Sequence, residues 1–119
     1  MSTLSRPAPV PSLSLLSRSR GSVTCDDLHQ KLIIRGRVPP LGHMEYLLAR
    51  SLLFQNHEWE AGRCAVRTVS SAALRKATGA KSMIALYRLV SEVRNKLSPF
   101  DLQIKVVLGD GYFIDAMSD

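Results

Sequence analysis

The stretch KVVLGDGYFI at residues 105–114 is the first place to look for chemistry, because two glycines flank an acid at Gly109-Asp110-Gly111. A phosphate-binding loop needs a glycine-rich turn that leads from a strand into a helix, since the helix N-terminus supplies the free amides that hold the anion. Here the β-prone run Tyr112 to Ile114 follows, and only five further residues remain. The stretch therefore predicts a β-hairpin.

The cysteines and histidines do not form a pattern typical of catalysis or metal binding. Cys25 and Cys64 are far apart and lack a second ligand at metal-site spacing, so they are interpreted as free thiols. His29, His43 and His57 lie in separate segments without a nearby carboxylate or cysteine in the pattern, and are interpreted as surface or capping residues. We expect neither an enzyme, nor a cofactor, nor a metal site.

Length and charge indicate one domain with an anionic partner. The chain has 119 residues, 45% of them hydrophobic, and its apolar runs fall short of the roughly 20 residues of a membrane helix. The net charge of +6 is unevenly spread, because residues 63–96 contain eight basic side chains and a single acid, Glu92. Such a one-sided positive field favours a polyanion such as DNA or RNA, although a solvated basic face without a partner would look the same.

Residues 1–22 differ from the rest of the chain. They are rich in serine and proline, and Pro7, Pro9 and Pro11 oppose a helix. Three arginines and no acid add charge. We expect a disordered basic tail before a domain at residues 23–119; a DNA-contacting arm, an organellar transit peptide and an inert segment all fit the composition.

The first part of the domain predicts a hairpin and a helix. Residues 31–34 and 37–38 flank Arg35-Gly36, a turn pair that predicts a small β-hairpin ended by Pro39-Pro40. A first helix is predicted from near Gly42 to about Gln55, with Glu45 at its third position. The segment HEWEAGR at residues 57–63 is interpreted as a polar loop, and residues 64–69 as a short strand.

Two further helices are predicted by local capping signals. Ser70 is placed to cap a short helix that ends at Thr78, with Gly79 as its terminator, and Ser82 is placed to cap a third helix that ends before Ser98-Pro99. The third helix has one apolar stripe, formed by Met83, Leu86, Leu89, Val90, Val93 and Leu97. Its opposite side presents Tyr87, Arg88, Ser91, Arg94 and Asn95.

This order of elements predicts an α+β fold. Two helices joined by a tight glycine-containing turn, the second rich in hydrogen-bond donors, indicate a helix-turn-helix. With the hairpin that follows, the expected architecture is a winged helix-turn-helix of three helices with an N-terminal β-hairpin and a C-terminal β-hairpin wing.

Four segments in this order resemble the OmpR/PhoB-type effector domain of bacterial response regulators, over about residues 28–114. RGRVPPLGHMEYLLARSLL is similar to the segment that leads into the family's first helix, VSSAAL to the start of its second helix, LYRLVSEVRNKL to the end of its recognition helix, and IKVVLGDGYFI to its wing. The resemblance implies a sequence-specific regulator of transcription that binds double-stranded DNA, with the third helix in the major groove and the wing at an adjacent minor groove.

The resemblance also implies which residues contact DNA. Arg88, Ser91 and Glu92 correspond to positions facing bases or nearby phosphates, and Arg94 and Lys96 to positions facing the backbone. The full expected DNA-binding set is Arg67, Lys81, Ser82, Tyr87, Arg88, Ser91, Arg94, Asn95, Lys96 and Lys105.

Several departures from the family pattern modify this expectation. Leu108 stands where the wing usually has arginine, and Asp110 would repel phosphate. The connection TGAK at residues 78–81 is shorter than the family's polymerase-contacting loop, which favours a repressing or architectural role. Tyr87 and Ile84 stand where the family often has aspartate and arginine. No receiver domain precedes the predicted domain, so we expect it to act alone.

The implied partners are double-stranded DNA and a second copy of the chain, as a homodimer or in tandem on DNA, with RNA polymerase or another regulator also open. The implied location is the cytoplasm, at the bacterial nucleoid, with no membrane partner. The alternative is a winged-helix protein-protein interaction module that has lost DNA binding, which Leu108, Asp110, Phe113 and Trp59 would favour.

Overall fold

A computed structural model describes residues 12–13 and 23–116, and its architecture is α+β. The rest of the predicted tail lies outside the described residues. Three helices and two small antiparallel sheets follow one another as β1 (Ser12–Leu13), β2 (Val23–Asp26), β3 (Lys31–Ile34), α1 (His43–Glu60), α2 (Ser71–Thr78), α3 (Met83–Leu97), β4 (Leu102–Val107) and β5 (Gly111–Ala116).

The first sheet has the order β1-β2-β3, with β2 antiparallel to both neighbours. The predicted strand at residues 31–34 is confirmed, but its long partner is β2, which the sequence pattern did not predict. The predicted turn at Arg35-Gly36 is present: the Ile34 amide donates to the Arg37 carbonyl at 2.7 Å, and the Arg37 amide returns a bond of 2.9 Å. Both central residues have positive φ, 50° and 80°, as a tight two-residue hairpin turn requires.

Helix α1 begins as predicted and ends later than predicted. Gly42 is its N-cap, and the Glu45 carboxylate accepts a hydrogen bond of 2.7 Å from the Gly42 amide. The helix continues to Glu60, so the predicted polar loop is wrong for residues 57–60. The polar residues there have partners outside the helix: Glu58 forms an ion pair with Arg63 at 2.7 Å, and Trp59 stacks on Arg67.

Helices α2 and α3 have the predicted bounds and caps. The Ser70 hydroxyl accepts from the Ala73 amide at 3.1 Å, and the Ser82 hydroxyl accepts from the Ala85 amide at 3.0 Å. Between the two helices, Gly79 takes a left-handed conformation with φ of 81°. The predicted strand at residues 64–69 is absent except for one bridge, in which Val69 pairs with Tyr112.

Strands β4 and β5 form the predicted C-terminal hairpin, with residues 108–110 as its turn. The hairpin is tied to the start of α2, because the amides and carbonyls of Val69 and Tyr112 exchange bonds of 2.8 and 2.9 Å. Gly111 permits this contact: a Cβ atom there would lie 2.1 Å from the Val69 carbonyl oxygen. The hairpin is therefore held at a fixed place beside the helix pair.

One hydrophobic core joins these elements. Helix α1 packs against α2, α3 and β5, and α3 also packs against β4. The predicted stripe of α3 is buried in this core at Leu86, Leu89, Val90, Val93 and Leu97, with Met83 at its edge. Among the described residues, no helix is long and apolar enough to cross a membrane.

Candidate nucleic-acid interface

The outward side of α3 is a row of exposed side chains. Residues three and four apart lie above one another on a helix, so Ile84, Arg88, Ser91 and Asn95 form a line, with Tyr87 beside it. We call these five residues the α3 face. Within the described part of the chain, the Arg88 guanidinium has neither a hydrogen bond nor an ion pair, so its donors are available to a ligand.

A groove separates the α3 face from the C-terminal hairpin. It has a volume of 340 Å³ and is lined by Tyr87, by Ser70 and Ser71 at the start of α2, and by residues 106–112 of the hairpin. Burial raises the pKa of Tyr112, and charge repulsion from the Tyr87 hydroxyl adds to the effect, so Tyr112 stays a neutral hydroxyl that pairs with Ser71. The groove therefore offers hydroxyl groups, and one carboxylate also lines it, that of Asp110 at the hairpin turn.

Basic side chains surround the turn between α2 and α3. The ammonium groups of Lys76 and Lys81 are exposed and unpaired within residues 23–116. Arg75 instead stabilises the turn, since its guanidinium donates to the Lys81 carbonyl at 2.9 Å. Helix α2 contains no acid, and the single acid of α3, the exposed Glu92, lies one turn after Arg88 and within hydrogen-bonding reach of the Glu45 carboxyl. The basic side chains around the turn outnumber this acid, so the region is positive.

Arg94 and Lys105 lie on the hairpin side of α3 and are partly engaged. Arg94 is half-buried, and its Nε donates to the Ile104 carbonyl at 3.2 Å, which fixes the direction of the guanidinium. Lys105 is exposed, with its Nζ 3.7 Å from a carboxylate oxygen of Asp115. Lys105 pairs with Phe113 across the hairpin, on the face opposite to Val106 and Tyr112, so it lies away from the groove that those two residues line.

Lys96 is engaged within the protein, contrary to its expected contact with the DNA backbone. Its Nζ lies 2.7 Å from Oε1 of Glu45, whose side chain is 11% exposed. Burial alone would raise the pKa of Glu45, but the Gly42 amide and the Lys96 ammonium outweigh it and lower that pKa, so the carboxylate stays charged. Separating Lys96 from this partner would leave a buried charge unpaired, and we withdraw it from the predicted set.

Arg67 is also withdrawn, because it forms a clamp between the end of α1 and β5. Its guanidinium donates to Asn56 Oδ1 at 2.7 Å and to Asp115 Oδ1 at 2.9 Å. The same group lies between two rings, 4.6 Å from the centroid of Trp59 and 4.4 Å from that of Phe113. This arrangement, the Arg67 clamp, also covers the two aromatic residues that favoured a protein partner.

Apart from Lys105, the remaining predicted residues lie on or next to the α3 face. Ser82 uses its hydroxyl as a cap acceptor, so its O–H donor is still free to point outward. Sequence reasoning missed Lys76, Ser71 and Val106. The position of Lys76 on the side of α2 opposite the buried Leu74 could have indicated that Lys76 is exposed. The positions of Ser71 and Val106 in the groove depend on where the hairpin packs, which the sequence pattern does not give.

The histidines and cysteines do not assemble into a reactive site. His29 does have a carboxylate partner, contrary to expectation: its Nδ1 lies 2.9 Å from Asp26 Oδ2 on the solvent side of the first hairpin. Cys25 is buried, and loss of solvation raises its pKa to about 11, which keeps it a thiol. In the part of the chain that the structure describes, no three of the His, Cys, Asp and Glu side chains could hold a metal ion together.

No protein-family model matches the chain, and no curated protein matches it significantly. The resemblance to OmpR/PhoB-type effector domains therefore stays a prediction from the four motifs.

Proposed function

We propose that this protein is a sequence-specific regulator of transcription that binds double-stranded DNA through a winged helix-turn-helix. In this proposal α2 and α3 are the helix-turn-helix, the C-terminal hairpin is the wing, and α3 enters the major groove. The observation that carries the proposal is the α3 face: an arginine that is unpaired within residues 23–116, on a capped helix whose basic neighbours outnumber the exposed acid Glu92.

The α3 face has the donors that base recognition uses. A major groove about 12 Å wide admits an α-helix, and an arginine fork fits the O6 and N7 acceptors of guanine. Arg88 is in position for that contact, and Ser91 and Asn95 lie one and two turns further along the same line. Lys76, Lys81 and Arg94 border the face and would hold phosphates on either side.

The groove beside the α3 face would hold one DNA strand. Helix N-termini bind phosphate oxygens through free amides, and the first turn of α2, which carries no acid, opens at Ser70 and Ser71 on the groove wall. Tyr87 and Tyr112 present hydroxyls or ring faces to the same space. A strand passing between α3 and the hairpin would therefore meet donors on one wall, and on the other wall apolar side chains with the Asp110 carboxylate at the turn.

The turn of the wing lacks a cation, which affects how the domain would act. Leu108 is 92% exposed, and Asp110 is the charged residue at the turn.

Affinity from one such module is small, so we propose a homodimer or tandem copies on DNA at the bacterial nucleoid. The short connection at residues 78–81 leaves no loop for RNA polymerase, which supports repression or an architectural role.

The second candidate function is a protein-interaction module. The observation in its favour is the apolar rim of the groove, because Ile84, Val106 and Leu108 are 69%, 54% and 92% exposed. A protein groove accommodates such side chains more readily than a phosphate chain does.

Titration of the full chain with mixed-sequence DNA and with duplexes selected from a random pool, each at two salt concentrations, distinguishes the two candidates. DNA binding requires affinity that falls with salt and a consensus in the selected pool. Arg88→Ala should then cost about 1–3 kcal/mol on the selected duplex and relax the consensus at one position. The control is Arg63→Ala, which removes an exposed arginine at the end of α1. Absence of salt-dependent binding would favour the interaction module. If Arg88→Ala lost as much affinity for random DNA as for the selected duplex, Arg88 would contact a phosphate and not a base.

A further inference from the structure

We infer that the α3 face recognises thymine beside the guanine read by Arg88, with Ile84 and Tyr87 packed against the thymine methyl group. The inference rests on the proposed function and specifies which DNA the domain selects. Its starting point is an apolar pair on an otherwise basic surface: Ile84 is 69% exposed and Tyr87 54% exposed, and both adjoin Arg88.

The chemistry of the major groove limits what Ile84 could contact there. An isoleucine side chain has no donor or acceptor, so it gains only from contact with an apolar group. The C5 methyl of thymine is the apolar group that base pairs present in the major groove. Ile84 lies directly before Arg88 on the same line of the helix, so a helix positioned for the arginine contact also brings Ile84 to the base edges.

The charge of the face disfavours the other pyrimidine. Cytosine presents an amino donor in the major groove and is read by carboxylate acceptors. The acid of α3, Glu92, lies two helical turns beyond Ile84, within hydrogen-bonding reach of Glu45. A cytosine opposite Ile84 would therefore leave its amino group without a carboxylate acceptor, whereas a thymine would bury its methyl.

Helix geometry gives the spacing between the two bases. Four residues of α-helix rise about 6 Å, and base pairs are about 3.4 Å apart. Ile84 and Arg88 should thus contact bases about two steps apart, with Tyr87 filling the side toward the groove. The expected site contains a guanine and a thymine within about two base pairs of each other.

Single replacement of each thymine by deoxyuridine tests this directly, since it removes one methyl group and leaves base pairing unchanged. The probes are duplexes selected from a random pool by the full chain. At one thymine within about two base pairs of the guanine assigned through Arg88→Ala, we expect deoxyuridine to weaken binding about fourfold, the factor that burial of one methyl corresponds to. Ile84→Ala should reduce the difference between thymine and deoxyuridine probes, with the remainder due to Tyr87, whereas Leu28→Ala, an exposed leucine on the first hairpin, should keep the wild-type difference.

The outcomes separate this inference from the function on which it rests. If a consensus is found and deoxyuridine is neutral at every thymine, thymine recognition is overturned while DNA binding stands. If Ile84→Ala retains the full penalty, the contact belongs to another residue and the assignment to Ile84 fails. If no consensus emerges, both thymine recognition and the proposed sequence-specific binding are contradicted. The wild-type measurement needs no variant, so it decides the first question even if Ile84→Ala alters stability.

Discussion

At the scale of single residues, the described arginines differ in whether a carboxylate already binds their guanidinium. Arg35, Arg50, Arg63 and Arg67 each contact a carboxylate at 2.7–2.9 Å, whereas Arg88 has no partner within the described residues. An arginine already held by a carboxylate would have to lose that contact to bind phosphate. The basic composition of the chain therefore overstates the charge available to DNA, and Arg88 is the arginine of the α3 face whose donors are free within the described residues.

The Arg67 clamp gives the first prediction at this scale. Arg67→Met removes the charge while keeping much of the side-chain length, and leaves Asp115 and Asn56 without the guanidinium. Loss of one partner of a buried pair costs 3–5 kcal/mol, and because the side chain of Arg67 is 19% exposed we expect about 2–4 kcal/mol. Urea unfolding would measure the difference.

The matched control for the clamp is Arg88→Met, which should change the unfolding free energy by about 0.5 kcal/mol or less, because Arg88 is exposed and unpaired within residues 23–116. Equal effects of the two substitutions on stability would contradict the division of the arginines.

At the scale of elements, prediction succeeds where the determinants are local. Ser70, Gly79 and Ser82 act on amides or carbonyls at most four residues away, so the helix pair and its turn could be predicted from sequence. Helix α1 was predicted too short because Trp59 is stabilised by Arg67, which reaches it only in the folded chain.

The candidate site divides in the same way. The α3 face follows from helical periodicity, and four of its five members were predicted, whereas Ile84 was not in the predicted set. Lys96 and Arg67 were included in the predicted DNA-binding set because their acidic partners are too far away in sequence to be recognised. Glu45 lies 51 residues from Lys96, and Asp115 lies 48 residues from Arg67. Sequence reasoning recognises a cation but not whether a distant acid already binds it.

The contact between the C-terminal hairpin and α2 gives a prediction about Gly111. Gly111→Ala should destabilise the protein by several kcal/mol and loosen the hairpin, because the added Cβ would lie 2.1 Å from the Val69 carbonyl oxygen and φ is 133°. Gly109→Ala is the control: its φ is 86° but the space around it is open, so only the backbone cost of about 1–2 kcal/mol applies. Chemical unfolding compares them, and a smaller loss at Gly111 than at Gly109 would refute the tight contact.

The proposed wing gives a prediction in the opposite direction, a gain. Leu108→Arg places a cation at the exposed turn where none is present now. If the turn lies near DNA, the affinity should rise and the slope of log K against log salt should steepen by about 0.9 for one added phosphate contact. Leu28→Arg adds the same charge to the first hairpin and serves as control. An identical change in slope for both variants would mean that net charge, and not the position of the wing, is responsible.

At the scale of the whole molecule, the hydrophobic core makes the two proposed DNA-contacting elements one unit. Helix α3 contributes its stripe to the core, β4 packs on α3, and β5 is bonded to the residue before the α2 cap. The α3 face and the groove are thus held at a fixed separation, which suits a ligand of regular shape such as a DNA duplex. A module of this size nonetheless buries little surface on DNA, and further contacts would have to come from a second copy or from residues outside the domain.

Arg6, Arg18 and Arg20 are candidates for such contacts. They lie outside the described residues, and residues 1–22 contain no acid to neutralise them. Replacing all three by glutamine, rather than deleting the segment, keeps Ser12 and Leu13, which pair with β2. If each arginine contacts one phosphate, the slope of log K against log salt should flatten by about 2.7 in the triple variant, while the consensus of the selected duplex stays the same because phosphate contacts carry no sequence information. An unchanged slope would exclude the arm, and a changed consensus would mean that the segment reads bases.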